Sequence, residues 1–166
     1  MQFKESILSK LFIAAKEYNK LIGFTFIFKS DSFIYNPEYY IRFYKDNFLH
    51  LTGVETKLGA KEFFEKCISS SLELNEFECE TTSELKGKVR EKLKNLSNIG
   101  TFFDRDLVFQ EMLVKNTVKC KIATSDGKYT IGFIQVSSLI HVPLTLLNRN
   151  QIDPSAGISN YEITKR

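Results

Sequence analysis

The chain has 166 residues, 43% of them hydrophobic and 13% aromatic, which is enough apolar material for one core and excludes global disorder. The formal net charge of +3 is too small to indicate a nucleic-acid-binding protein by itself. No segment approaches the roughly 18 apolar residues of a membrane-spanning helix, so we expect no membrane partner. The three cysteines are odd in number and widely spaced, which favours reduced thiols and a cytoplasmic location.

The first part of the chain predicts a helix followed by two strands. Apolar residues recur at steps of three and four between Phe3 and Tyr18, with charged residues between them, as in an amphipathic helix. Residues 24–28 alternate in the manner of a strand. Residues 39–44 are mostly aromatic or β-branched and predict a second strand.

Three further helical segments are predicted next. Asp46 or Asn47 can cap a short helical turn, and Gly53 would close it. Residues 59–72 place their large apolar side chains on one stripe. Residues 82–96 place leucine and valine on one face and five cations around the rest, and they form the clearest helix in the second half of the chain.

Beyond residue 100 the apolar pattern changes to a period of two. Alternating segments span residues 107–114, 118–122, 129–136 and 140–142. The Asp126-Gly127 pair predicts a tight hairpin between antiparallel neighbours. This order predicts an α+β fold, with an N-terminal helix and a helical pair packed on an antiparallel sheet of about four or five strands. We expect one domain over residues 1–149, and a loosely attached polar tail over residues 150–166.

Charge is distributed unevenly along the chain. From Glu55 to Glu80 there are seven acidic residues and three basic ones, whereas from Thr81 to Ile122 there are nine basic residues and five acidic ones. Two differently solvated helix faces would explain this difference, and so would a surface in the second segment that faces phosphate groups.

Several common kinds of site are not indicated. The chain has neither a P-loop motif nor a GxGxxG motif, and its histidines and cysteines lack zinc-site spacing, so we expect no cofactor and no metal. Cys120 lies between Lys119 and Lys121, and cations can activate a thiol. On a strand both lysines would point away from Cys120, which favours a core cysteine over a nucleophile. The two lysines together can bind a phosphate, or they can form a solvated strand face.

His50 is the leading candidate for a catalytic residue. Cleavage of RNA without a metal needs one proton taken from a 2′-hydroxyl and one given to the departing 5′-oxygen, and imidazole suits both roles near neutral pH. Asp46, one helical turn earlier, would hold the ring in one tautomer. Alternatively, a lone histidine between two leucines is a structural residue. His141, at the end of a strand, is a weaker candidate.

The segment 47–53, Asn-Phe-Leu-His-Leu-Thr-Gly, resembles the phage-associated fourth subtype of the Barnase, EndoU, colicin and RelE-like nuclease superfamily. Later segments are similar to the aromatic helix, the basic helix and the last strand of that family, and they span residues 63–67, 82–89 and 142–147. The resemblance covers residues 40–150.

The resemblance implies helices followed by an antiparallel sheet that binds RNA, and an endoribonuclease of toxin-like, phage or mobile-element conflict systems. By the same resemblance His50 would be the general base or acid, and Thr52 would be a nearby hydroxyl donor. The resemblance also implies Lys121 and Thr145 as catalytic residues, with Lys119 beside Lys121 for RNA binding. Arg105 and Lys57 are further candidates for RNA binding.

The expected partners are RNA and, for a toxin, an acidic antitoxin or immunity protein that covers a basic RNA-binding surface. The alternative function is an inactive RNA- or protein-binding module on the same scaffold. The chain has only two histidines, and many metal-free ribonucleases need a second acid or base, so this alternative stays open.

Overall fold

The computed structural model describes residues 2–79 and 82–166 and divides the chain into two compact units. The first unit is built from residues 1–22 and 44–101, and the second from residues 23–43 and 102–166. Each unit therefore combines two separate stretches of sequence. Helices and a large sheet are both present, so the predicted α+β class is confirmed.

The described part of the chain contains four α-helices and eleven strands. In chain order they are α1 (Phe3–Asn19), β1 (Thr25–Lys29), β2 (Glu38–Arg42), α2 (Phe48–Thr52), β3 (Glu55–Thr56), α3 (Ala60–Ile68), β4 (Phe77–Glu78), α4 (Ser83–Leu96), β5 (Val108–Glu111), β6 (Val114–Lys115), β7 (Val118–Lys119), β8 (Ile122–Ser125), β9 (Tyr129–Gln135), β10 (Ile140–Asn148) and β11 (Glu162–Lys165).

The helical unit contains the four helices and the short antiparallel pair β3 and β4. Its core includes the buried stripe of α1, which ends at Tyr18. The Tyr18 ring lies 5.3 Å from that of Phe48 and 5.6 Å from that of Phe64, and its hydroxyl donates to the Tyr44 carbonyl at 2.6 Å. These contacts attach α1 to α2 and α3. No helix in the described ranges is both long enough and apolar enough to cross a bilayer.

Local signals in the sequence set the ends of the helices. The Thr82 hydroxyl accepts a hydrogen bond from the Leu85 backbone at 3.3 Å and caps α4. Gly53 closes α2 with a φ of 78°, a conformation that glycine adopts without the steric cost of a side chain.

The second unit, the sheet unit, contains a sheet of seven strands in the order β11-β1-β2-β10-β9-β8-β5. Neighbours are antiparallel except β2 and β10, which run parallel. The predicted hairpin joins β8 to β9, and Gly127 adopts a φ of 93° in its turn. The Asp126 carboxylate supports that turn by accepting from the backbone of Lys128 at 2.8 Å.

Phenylalanine rings form the centre of the sheet unit. Phe28 is fully buried, and its ring centroid lies 4.9 Å from that of Phe109 and 5.8 Å from that of Phe133. Phe103 packs 4.5 Å from Phe26. Large rings provide much apolar area and favourable edge-to-face contacts, so this cluster holds together strands that are distant in sequence.

The prediction of about four or five strands is wrong, because the sheet has seven. The early hairpin of β1 and β2 joins the later strands through the parallel contact with β10, and β11 adds to the other side of β1. Alternation of apolar residues identifies a strand but not its partner, so neither pairing could be read from the periodicity.

The segment 150–166 is not the loosely attached tail that its polar composition predicts. Within it, β11 pairs with β1, and Thr25 and Arg166 exchange two backbone hydrogen bonds at 2.9 Å. An edge strand buries little side-chain surface, and β11 is accordingly mostly exposed. The domain boundary at residue 149 stays a prediction.

Candidate active site

His50 lies on the exposed side of the short helix α2. Phe48, Leu51 and Thr52 are buried, so the helix presents His50 to solvent on its other side. Within the chain as described, no side chain or backbone group forms a hydrogen bond with the His50 ring. In particular, the expected contact from Asp46 is not formed. The ring is therefore free to meet a substrate.

Thr52 does not present its hydroxyl to solvent, contrary to the role that the resemblance implies. Its side chain is fully buried. Its hydroxyl donates to the Leu49 carbonyl at 2.7 Å and accepts from the Val54 backbone at 3.2 Å. Both bonds shape the turn after α2, so Thr52 supports the backbone next to His50.

Cys120 and its two lysines alternate as predicted. Cys120 is 4% exposed and packs with Leu113 and Ala123, whereas Lys119 and Lys121 are exposed. Burial raises the pKa of the Cys120 thiol to about 11, so it is protonated at neutral pH. This environment is that of a core residue and not of a nucleophile.

Thr145 lies on the same side of the sheet as Cys120. A Cβ atom on Gly132 would lie 2.2 Å from the Cys120 Sγ and 3.3 Å from the Thr145 Cγ2, so both side chains flank that glycine. Lys121, which follows Cys120 directly, is exposed. Thr145 therefore lies beside the buried Cys120.

The two further RNA-binding candidates have anionic neighbours. The Arg105 guanidinium donates to the Asp126 carboxylate at 2.9 Å, and this carboxylate side chain is only 4% exposed. Lys57 is exposed at the edge of a groove. The groove is also lined by three glutamates, Glu55, Glu76 and Glu78. These carboxylates would oppose a phosphate group at either position.

The predicted site residues fall into both units. The helical unit holds His50, Thr52 and Lys57, and the sheet unit holds Arg105, Lys119, Lys121 and Thr145. Within the helical unit, His50 and Thr52 share α2. Within the sheet unit, Lys119 and Lys121 are both exposed and lie two residues apart, which favours binding of a single phosphate backbone by both.

His141 is buried in the sheet unit. It is 4% exposed, and neither ring nitrogen has a hydrogen-bond partner in the described part of the chain. The Tyr39 ring packs edge-on with centroids 5.2 Å apart. Burial is the largest influence on the His141 imidazole and lowers its pKa. The Leu139 backbone raises this pKa, and the positive charge of Lys121 lowers it further. We therefore expect a neutral core imidazole that does not meet substrate.

Acidification should destabilise the protein through His141. In the unfolded chain, His141 takes up a proton near the ordinary histidine pKa of about 6.5. In the folded protein the pKa of His141 is lower, so the ring stays neutral to a lower pH. The contribution of this group to the free energy of unfolding is thus complete above the unfolded-state pKa and decreases below it. Urea unfolding of His141→Leu between pH 7 and pH 5 should show a weaker loss of stability than wild type. The control is His50→Gln, which removes the exposed imidazole instead; equal pH dependence of H141L and wild type would contradict the prediction.

Two side chains with distinctive environments carry no clear signal in the sequence. Glu111 accepts hydrogen bonds from the backbone of Ile34 at 2.7 Å and of Tyr35 at 3.1 Å, and also from the Tyr39 hydroxyl. It thereby holds the loop after β1. Lys92, one of five cations in α4, is half-buried next to Gly53. Periodicity alone does not distinguish Lys92 from the exposed lysines of the same helix.

An α+β fold with an accessible imidazole in a short helix is compatible with a small nuclease. The model of the family described as phage-Barnase-EndoU-ColicinE5/D-RelE like nuclease4 matches residues 10–164, so the chain belongs to this nuclease family. The match confirms the predicted resemblance and extends it to include the second half of α1 and most of β11. Searches of the curated proteins and of the solved structures gave no match.

Proposed function

We propose that the protein is a metal-independent endoribonuclease in which His50 transfers a proton to or from the RNA. The observation that carries this proposal is the exposed His50 ring, which has no hydrogen-bond partner among the described residues, in a chain of a nuclease family. Of the two histidines, His50 alone is accessible to a substrate, since His141 is buried.

In the proposed reaction His50 accepts the proton of a 2′-hydroxyl as the 2′-oxygen attacks the adjacent phosphorus. The bond from phosphorus to the 5′-oxygen breaks, and that oxygen takes up a proton from a second donor or from solvent. The products are a 2′,3′-cyclic phosphate and a 5′-hydroxyl. An imidazole can perform such a transfer near neutral pH without a divalent ion.

On the sheet unit, Lys119 and Lys121 are the proposed RNA-binding cations. Both are exposed, and neither forms an ion pair with a carboxylate within the described ranges. Exposed cations two residues apart suit a polyanion. Thr145 is left out of the proposal because it flanks the buried Cys120.

The burial of His141 supports a second candidate function, an RNA- or protein-binding module without catalysis. A two-histidine mechanism is not available to this chain if one ring stays in the core. An active enzyme then needs a different second acid or base, or solvent in that role. The two candidates differ in one measurable respect, which is turnover of RNA.

For the active enzyme we propose a toxin-like role in phage or mobile-element conflict, in the cytoplasm, with RNA as substrate. An acidic antitoxin or immunity protein is the corresponding partner, because a cationic RNA-binding surface is attracted to an acidic mimic of the backbone. Induced expression in a bacterial host should then arrest growth.

Purified protein incubated with total cellular RNA should cleave it equally well with and without a chelator. The cut ends should carry 2′,3′-cyclic phosphates, which mapping of the termini would reveal. Cleavage that stops in chelator would contradict metal independence. Binding of RNA without any cleavage would reject the enzyme and favour the binding module.

A further inference from the structure

Lys92 lies against the turn that ends the helix of His50. Its Cδ is 3.4 Å from the position that a Cβ atom on Gly53 would occupy, and the Val89 Cγ2 lies 3.6 Å from the same point. Gly53 follows His50 by three residues and closes α2. The Lys92 side chain therefore packs against the backbone within one helical turn of His50, in the same unit.

The Lys92 ammonium has no carboxylate to balance it in the part of the chain that the structure describes. The neighbouring Lys88 does have one, since it pairs with Glu84 at 3.7 Å. Lys92 is half-buried, and burial lowers its pKa, with the charge of Lys88 acting in the same direction. A partly buried cation next to a like charge is unfavourable, and a bound anion would remove that cost.

Packing of the methylene stem is the competing explanation. Lysine side chains often cover apolar surface while the ammonium reaches water, and the contacts with Gly53 and Val89 fit that behaviour. Packing explains the position of the methylene stem. It does not explain why the side chain carries a charge, because an unbranched apolar side chain would cover the same surface without a desolvated ammonium group. The difference between the two explanations is therefore the charge alone.

We propose that Lys92 binds a backbone phosphate of the RNA next to His50. Phosphate is the anion that the substrate brings to this position, and a lysine ammonium binds it as a point charge with up to three donors. The assignment rests on the proposed function for its substrate, but it concerns binding and can be measured without turnover.

Binding should be measured for a single-stranded RNA oligonucleotide by fluorescence anisotropy over a series of salt concentrations, with His50→Ala in the background to prevent cleavage. The variant is Lys92→Met, which keeps the stem and removes the charge. The matched control is Lys94→Met, which removes an exposed charge from the same helix. Lys92→Arg, which keeps the charge, should restore much of the affinity.

We expect Lys92→Met to weaken binding about tenfold or more, as for loss of one charge-assisted contact. The slope of log affinity against log salt should become less steep by about 0.7, the value for one phosphate of a single strand. Lys94→Met should change both quantities much less. Thermal unfolding of K92M should stay close to that of wild type, because the packed stem is retained.

Equal affinity and equal salt slope for K92M and K94M would overturn the assignment, whether or not the wild type cleaves RNA. If the wild type fails to cleave RNA while K92M still loses affinity and slope relative to K94M, the phosphate site stands and the proposed catalysis fails. An equal loss of RNA affinity in K92M and K92R would also contradict the proposal, because the loss would then come from the changed stem and not from the charge.

Discussion

Replacement of His50 by alanine is expected to lower the rate of RNA cleavage by about a hundredfold or more, because a general acid or base contributes on the order of 10²–10⁴ to such a reaction. The ring is exposed and makes no hydrogen bond within the described chain, so its loss should leave the fold intact. Initial rates on a defined RNA, measured with thermal unfolding of the same preparation, would test both statements.

The control for this experiment is Lys61→Met, which changes an exposed residue of α3 in the same unit. It should cleave RNA at a rate near that of wild type. In a bacterial host, expression of the wild-type chain should arrest growth and the His50→Ala chain should not. An H50A protein that cleaves at the wild-type rate would remove His50 from the mechanism.

Replacement of Phe28 by alanine should have the largest effect on stability. Phe28 is fully buried, and its ring contacts those of Phe103, Phe109 and Phe133 at centroid distances of 5.5, 4.9 and 5.8 Å. Truncation of a buried phenylalanine costs about 3–5 kcal/mol, since the transfer free energy is lost and a cavity remains. This is a large fraction of the stability of an ordinary domain.

Urea or thermal denaturation would measure the effect. The matched control is Ile34→Ala, because Ile34 is also large and apolar but 82% exposed, and its truncation should change the free energy of unfolding by no more than about 0.5 kcal/mol. Similar losses for F28A and I34A would mean that the phenylalanine cluster does not form the core of the sheet unit.

The elements that the sequence predicts well are those fixed by local chemistry. The apolar spacing that ends at Tyr18 forms α1, Thr82 caps α4, and the turn at Gly127 joins β8 to β9. Each of these signals acts over a few residues, through a side-chain period, a capping hydroxyl or a backbone angle. No information about distant parts of the chain is needed to read them.

The candidate site was predictable in part for the same reason. The pattern around His50 places Phe48 and Leu51 on the buried side of a short helix and leaves the imidazole outside. The sequence could not reveal that the hydroxyl of Thr52 is used by its own turn, or that His141 is enclosed in the sheet. Both outcomes depend on which atoms surround the side chain after folding.

By itself, the sequence determined the nuclease family, the mixed class of the fold, the helices and the alternation around Cys120. Only the tertiary structure decided that β2 and β10 are parallel neighbours, that β11 completes the sheet, and that Lys92 rests on Gly53. The physical reason is range: helix periods, caps and turns are set by residues close in the chain, whereas strand partners and the burial of a charge are set by residues far apart in it.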